Sequence, residues 1–206
     1  MRVCVISDTH GAHHSLTLPP SIDVLICCGD FTEDGTEDQV ASFIEWYAAQ
    51  RAKHRLLICG NHEVNLTQKA GNDRDRLSAL LSAGGAVTYL QDSLVEAAGL
   101  RIYGTPWMPR PTTEVYAHGA WCIDGEGPEL AGRYRAIPEG LDLLITHTPP
   151  QGVLDNNGLG SAALMAELRR AQPYVHCFGH VHSGYGHKCA TVCASSPGRP
   201  EKAVTM

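Results

Sequence analysis

Five short apolar runs recur along the chain, at residues 2–7, 22–28, 55–59, 141–146 and 174–178, all rich in Val, Ile, Leu and Cys and too short for helices. They predict buried strands. Between them the spacing changes. Val40, Phe43, Ile44 and Tyr47 recur at helical intervals and predict a helix over residues 37–51, with Thr36 and Gln39 as a capping box at its start. A second helix is predicted from near Asn72; it buries Leu77, Leu80 and Leu81 and stops at Gly84-Gly85, where glycine accepts the left-handed conformation of a helix end. A third covers residues 161–171, with Leu164 and Leu168 on one face, and ends before Pro173. Residues 87–104 read as a strand followed by a hairpin. Residues 106–140 carry many Pro, Gly and charged residues with weak periodicity, and are expected to form a long irregular insertion with one short helix near 130–135.

Strands alternating with helices predict an α/β chain with a largely parallel sheet, whose ligands gather beyond the carboxyl ends of the strands. A length of 206 residues favours one domain over two, so residues 1–206 are read as a single domain. The formal charge of -6 repels polyanions, so nucleic acid is expected only as the substrate of a nuclease. Two bound dications would reverse the sign locally and draw a phosphate to one spot. No apolar run approaches the ~20 residues of a membrane span, and the strand-like start after Met1 is too short for a leader, so a cytoplasmic location is expected. Five of the eight cysteines, Cys4, Cys27, Cys28, Cys59 and Cys177, sit inside apolar runs, where thiols behave as small hydrophobes in a reducing compartment. Eleven histidines beside sixteen Lys plus Arg need a chemical explanation.

The polar residues that follow the apolar runs supply one. Asp8-Thr9-His10 follows the first run, Gly29-Asp30 the second, Gly60-Asn61-His62-Glu63 the third, His147 the fourth and Gly179-His180-Val181-His182 the fifth. Carboxylate, imidazole and amide oxygen form a mixed donor set suited to Mn, Fe or Zn and poorly suited to Ca. One ion cannot use seven candidate ligands. With an aspartate able to bridge, they suggest two ions roughly 3.5 to 4 Å apart, the spacing of two-metal phosphoesterases and nucleases. The glycines at 29, 60 and 179 each precede a candidate ligand, where a side chain would obstruct the approach of backbone to the metals.

In that order over most of the chain, DxH, GD, GNHE, a later isolated His and GHxH resemble the calcineurin-like metallophosphoesterase family. Gly29-Asp30-Phe31-Thr32-Glu33, Gly104-Thr105-Pro106-Trp107, His147-Thr148-Pro149-Pro150 and Gly184-Tyr185-Gly186 are similar to its metallophosphoesterase-domain-containing, class III phosphodiesterase-like subgroup. The resemblance implies a four-layer αββα sandwich of two mixed β-sheets flanked by helices. It assigns Asp8, His10 and His182 to one metal, Asn61, His147 and His180 to the other, and Asp30 as the bridge. A water between the ions is then the nucleophile. Manganese is the first expectation, with iron, zinc or magnesium as alternatives. His62 resembles the family's catalytic histidine, able to stabilise transition-state charge or protonate the leaving oxygen, and Glu33 stands where an acid orients that histidine and raises its pKa. Asp34 stands where many phosphomonoesterases of the family have an arginine. Without that clamp a diester is the expected substrate, with cyclic nucleotides a candidate class.

Other readings stand beside these. Asp34, Glu37 and Asp38 also suit a solvated acidic turn at a helix N-terminus. His13 and His14 suit an exposed loop or a substrate contact, and Trp107 and Trp121 suit core, lid or a base-stacking platform. His187, Cys189 and Cys193 suit one face of a strand better than a separate zinc site. A phosphomonoesterase, a nuclease drawing on Arg101, Arg110, Arg133 and Arg135, and a catalytically weak scaffold on the same fold are the rival functions.

Overall fold

All five apolar runs become strands in the computed structural model, which describes residues 1–111 and 119–189. The first three, β1 (Val3–Ile6), β2 (Ile22–Cys27) and β3 (Ala52–Leu57), are joined by β4 (Thr88–Tyr89) in a sheet that is parallel at every pairing among the described residues. A hairpin follows, β5 (Ser93–Ala97) and β6 (Leu100–Thr105), then a short parallel pair, β7 (Met108–Pro109) with β8 (Cys122–Ile123). The later runs become β9 (Leu143–Thr146) and β10 (Val175–Cys177). They complete a second sheet in the order β10-β9-β6-β5, in which only the hairpin pairing is antiparallel. Of the two four-stranded sheets, therefore, the second alone is mixed among the described residues.

Period-two alternation explains the layering. Val24, Ile26 and Cys28 point one way, and there they meet Ile58, Ile102, Leu143 and Ile145 in a core between the sheets. Leu25 and Cys27 point the other way, into a second cluster shared with the helices. Strands buried on both faces read as continuous apolar runs for this reason. Gly104 lets the sheets close: a Cβ there would lie 2.5 Å from Leu90 Cβ and 2.9 Å from Ile58 Cγ2.

Helix α1 (Glu37–Ala48) buries the expected Val40, Phe43, Ile44 and Tyr47, and the Tyr47 hydroxyl reaches Leu25 O and Leu56 O at 3.0 and 2.8 Å. The capping box is not formed. Thr36 makes no side-chain cap, and Gln39 Oε1 instead accepts from the N–H groups of Glu33 and Asp34 at 3.0 and 3.1 Å. Two amides of a tight turn outcompete one helix end. Helix α2 (Val64–Ala70) was not expected: it is seven residues long and buries only Leu66 and Ala70, too short a pattern to show periodicity. Helix α3 (Arg74–Leu81) is capped by Asp73, which accepts from the N–H groups of Asp75 and Arg76. It buries Leu77 and Leu81, whereas Leu80, expected in the core, is 46% exposed because the narrow i, i+4 stripe excludes it.

Residues 106–140 are less irregular than expected, since β7, β8 and α4 (Pro128–Arg135) lie in their described part. Tyr134 of α4 donates to Trp107 O at 2.7 Å. Helix α5 (Ala162–Ala171) starts at Ser161, whose Oγ accepts from Leu164 N–H at 3.1 Å, buries Leu164 and Leu168 as expected, and ends where Gln172 turns left-handed. No helix among the described residues is long and apolar enough to cross a membrane.

Candidate metal centre

Beyond β1 the chain turns through Asp8 (φ 54°) and His10 (φ 43°), both in the left-handed region. Asp30 (φ 50°) after β2 and His180 (φ 70°) after β10 do the same. Such residues cost about 1–3 kcal/mol each, persist only when their surroundings over-determine them, and cluster at functional sites. Here the surroundings are explicit. Asp8 N–H donates to Gly29 O (3.0 Å), His10 N–H to Asp30 O (3.1 Å) and Gly11 N–H to Phe31 O (3.2 Å), which zips the first loop to the second. Gly179 N–H donates to His147 O at 2.9 Å and joins the loops of the second sheet. His180 N–H donates to both Asp8 oxygens, at 2.9 and 3.0 Å, and so stitches the two sheets together.

Three glycines make that convergence possible, as the sequence suggested: at Gly29 a Cβ would lie 2.7 Å from Gly60 N. A Cβ at Gly60 would land on Asp30 Oδ1 and lie 2.7 Å from His147 Cε1. One at Gly179 would land on Ser7 Oγ and Asp8 Oδ2.

Three groups of ligand-type side chains each bring one atom apiece within 4.8 Å of one another: Asp8, His10 and His182; His10, Asp30 and His62; Asp30, His147 and His180. Shared members make them one continuous centre. His10 Nε2 lies 3.2 Å from His182 Nε2, and His182 Nε2 lies 3.6 Å from Asp8 Oδ1. His147 Nε2 lies 3.2 Å from Asp30 Oδ2 and 3.1 Å from Asn61 Oδ1. All seven expected metal residues converge.

The donor chemistry fits cations. His147 Nδ1–H donates to Cys28 O at 2.8 Å, which turns the lone pair of Nε2 toward two oxygens. Three acceptors facing one another need a proton or a cation among them. Burial works to lower the His147 pKa, yet the Asp30 carboxylate outweighs it and raises the group to about 10 in the metal-free chain. Burial likewise works to raise Asp30, but His147 and the His62 N–H at 2.8 Å hold it below the usual carboxylate range. Burial, reinforced by His147, lowers His180 to about 3, and burial also lowers His10. Neutral imidazoles with available lone pairs are the form a divalent ion binds.

The sequence motif assigns Glu63 no role; the structure gives it a central place. Fully buried, its Oε2 accepts from Asp30 N–H (3.1 Å) and Gly60 N–H (2.6 Å), and its Oε1 from Thr32 N–H (3.0 Å) and Thr32 Oγ (2.9 Å). Burial and the nearby Asp30 push its pKa up to about 8, while four donors aimed at its oxygens favour the carboxylate. The available signal was a carboxyl placed at a tight strand exit rich in backbone N–H groups.

Glu33 requires a correction. Its carboxylate does not orient His62: Oε2 faces His10 Nδ1 at 3.5 Å, and it is the backbone carbonyl of Glu33 that accepts from His62 Nδ1–H at 2.7 Å. The main-chain acceptor lies in a turn that Gln39 Oε1 anchors by accepting from the N–H groups of Glu33 and Asp34. Asp34, Glu37 and Asp38 are exposed, as a solvated acidic turn requires, and Glu37 pairs with Lys69. His13 belongs to neither an exposed loop nor a substrate contact: it is buried against Phe43 and Trp46, with Nε2 3.3 Å from Ser42 Oγ. Trp107 and Trp121 are core residues, and the Trp107 Nε1–H donates to Asp92 Oδ2 at 2.7 Å. Arg110 pairs with Asp124, Arg133 lies over the Trp107 ring 3.6 Å from Asp92, and Arg101 binds Gly140 O, so three of the four arginines are engaged locally. Cys27, Cys28, Cys59 and Cys177 are buried free thiols. Cys193 lies outside the described residues, and residues 187–189 form no strand.

A layered α/β fold with a shared-carboxylate donor centre at its strand ends defines a class of dinuclear metalloprotein. A family model described as calcineurin-like phosphoesterase matches residues 1–184, and the chain belongs to that family. The family is one of metal-dependent phosphoester hydrolases with a dinuclear divalent centre. Human metallophosphoesterase domain-containing protein 1 is 36% identical over 210 residues, which cover 90% of this chain and 61% of the human protein. UPF0046 protein T07D4.2 of Caenorhabditis elegans is 35% identical over 219 residues, covering 93% of this chain and 53% of that protein. The chain thus spans about half to three-fifths of these curated relatives. The crystal structure of TT1561 from Thermus thermophilus shares the fold, with a TM-score of 0.59 at 11% identity over 85% of this chain and 80% of that one.

Proposed function

We propose that the chain hydrolyses phosphodiesters with two divalent ions, manganese first among the candidates, and that cyclic nucleotides are the substrate class to test first. One observation carries the reading: Asp30 stands between the Asp8–His10–His182 and His147–His180 groups, with Asn61 completing the second. When bound, the two ions supply an activated water and neutralise the non-bridging phosphate oxygens. The chain's own residues do the rest. Asp30, held by its N–H to Glu63 and by the His62 N–H on Oδ1, keeps its carboxylate between the groups. His62, its Nδ1–H committed to Glu33 O, presents Nε2 as the nitrogen that hands a proton to the leaving oxygen.

Preference for a diester follows from charge. The exposed residues flanking this histidine's acceptor are Glu33 and Asp34, both acidic. A terminal phosphate carries about -1.5 to -2 at pH 7 and is repelled more than a singly charged diester.

The test strips the protein with chelator, restores Mn, Fe, Zn or Mg singly, and compares a generic diester, a cyclic nucleotide, a monoester and a polynucleotide. Fastest diester turnover with manganese is expected. Monoester preference, or hydrolysis with none of the metals, overturns the reading. His62→Ala is expected to bind both ions and lose about 10²-fold in rate; full activity in that variant removes His62 from the chemistry.

A further inference from the structure

The carboxylate of Glu33 has a place in the site that the role expected for it leaves unexplained. It faces His10 Nδ1 at 3.5 Å, while His10 Nε2 points the other way, 3.2 Å from His182 Nε2 within the Asp8 group. One imidazole therefore has its two nitrogens divided between a donor cluster and an outer acid. A histidine that binds a metal through one nitrogen commonly gives its other N–H to a carboxylate, which fixes tautomer and ring orientation and strengthens the donor. The turn carrying Glu33 is itself held in place, since Gln39 Oε1 accepts its N–H at 3.0 Å and His62 Nδ1–H binds its carbonyl at 2.7 Å.

We propose that Glu33 is a positioning residue for the Asp8–His10–His182 metal position, acting through His10 and not through His62. The inference rests on the two-ion reading above. Glu33 then has two separable duties on one residue: the main chain orients the acid-base histidine, and the side chain tunes one metal. Side-chain substitutions leave the carbonyl in place, so they separate the two.

The experiment titrates metal-free Glu33→Gln and Glu33→Ala full chains with Co²⁺, following the visible absorption and the heat of binding. About a tenfold loss of affinity is expected at one of two positions, with the other unchanged, at the lower end of the range for outer-sphere partners because the Glu33 side chain is 66% exposed. Glu33→Asp should recover part of the loss. The pH midpoint of turnover at saturating metal should stay where the unmodified protein has it. Unchanged affinity at both positions overturns the inference, as does a shifted pH midpoint with normal affinity, which would return the carboxylate to His62. Failure of the two-ion reading is distinct: the unmodified chain would then bind fewer than two ions.

Discussion

The two halves of the donor centre are built differently. On the inner side Asp30, Asn61 and His147 are 2%, 4% and 0% exposed, and each is tied to buried structure: Asp30 through Glu63, Asn61 through its carbonyl to Ala120 N–H, His147 through Cys28. On the outer side the His182 side chain is 62% exposed on a single 3-10 turn, His10 has an exposed carboxylate behind it, and Asp8 alone is clamped by a backbone N–H from the other sheet. A buried donor set forms as part of folding, so its affinity and the fold's stability are coupled. An exposed set is less coupled to the fold and yields first. One site thus combines a position set by the core with a position open to adjustment.

The largest effect expected from this contrast is at the shared carboxylate. Asp30→Ala should lose both ions by elemental analysis and at least about 10³-fold in activity, whereas His182→Ala should lose mainly one ion. Equal stoichiometry in the two variants would erase the distinction between the halves. Next is the support behind the inner half. In Glu63→Gln the amide must present its NH₂ to one pair of donors, Asp30 and Gly60 N–H or the two groups of Thr32, so a loss of about 1–3 kcal/mol in denaturant unfolding is expected. A neutral result would mean that those donors find other partners.

The remaining effect, read in the metal-free chain, is on pH. The His147 pKa of about 10 in the metal-free chain lies above the unfolded value of about 6.5, so its stabilisation is fully present below pH ~6.5 and is lost as pH rises toward 10. Asp30 is depressed, so its share is present above pH ~4 and is lost only in stronger acid. Between pH 6.5 and 10 the unfolding temperature of the metal-free chain should fall, and that of the metal-loaded chain should fall less, because a cation replaces the proton. A metal-free midpoint that rises over this window would contradict the pairing.

Much of this was legible in the amino-acid order. Apolar runs marked the strands because burial on both faces leaves them no polar positions, and the residues after them marked the centre because loops at strand ends are where such a fold collects ligands. Glycine before a donor announced a close approach, and at Gly29, Gly60 and Gly179 it was one. Helix α2 leaves no mark in the sequence because two buried positions in seven residues carry no period, and Leu80 departs from its expected burial because the pattern does not show how wide a stripe the sheet will cover.

Residue types at strand ends were determined by the sequence alone, since side-chain chemistry and hydrophobic period are local properties. Only tertiary structure decided who faces whom: that His180 clasps Asp8 across the two sheets, that Glu63 gathers donors from two loops, and that Glu33 offers His62 its backbone and His10 its side chain. Those outcomes depend on loops far apart in the chain meeting at angles set by packed sheets, and no local pattern encodes an angle.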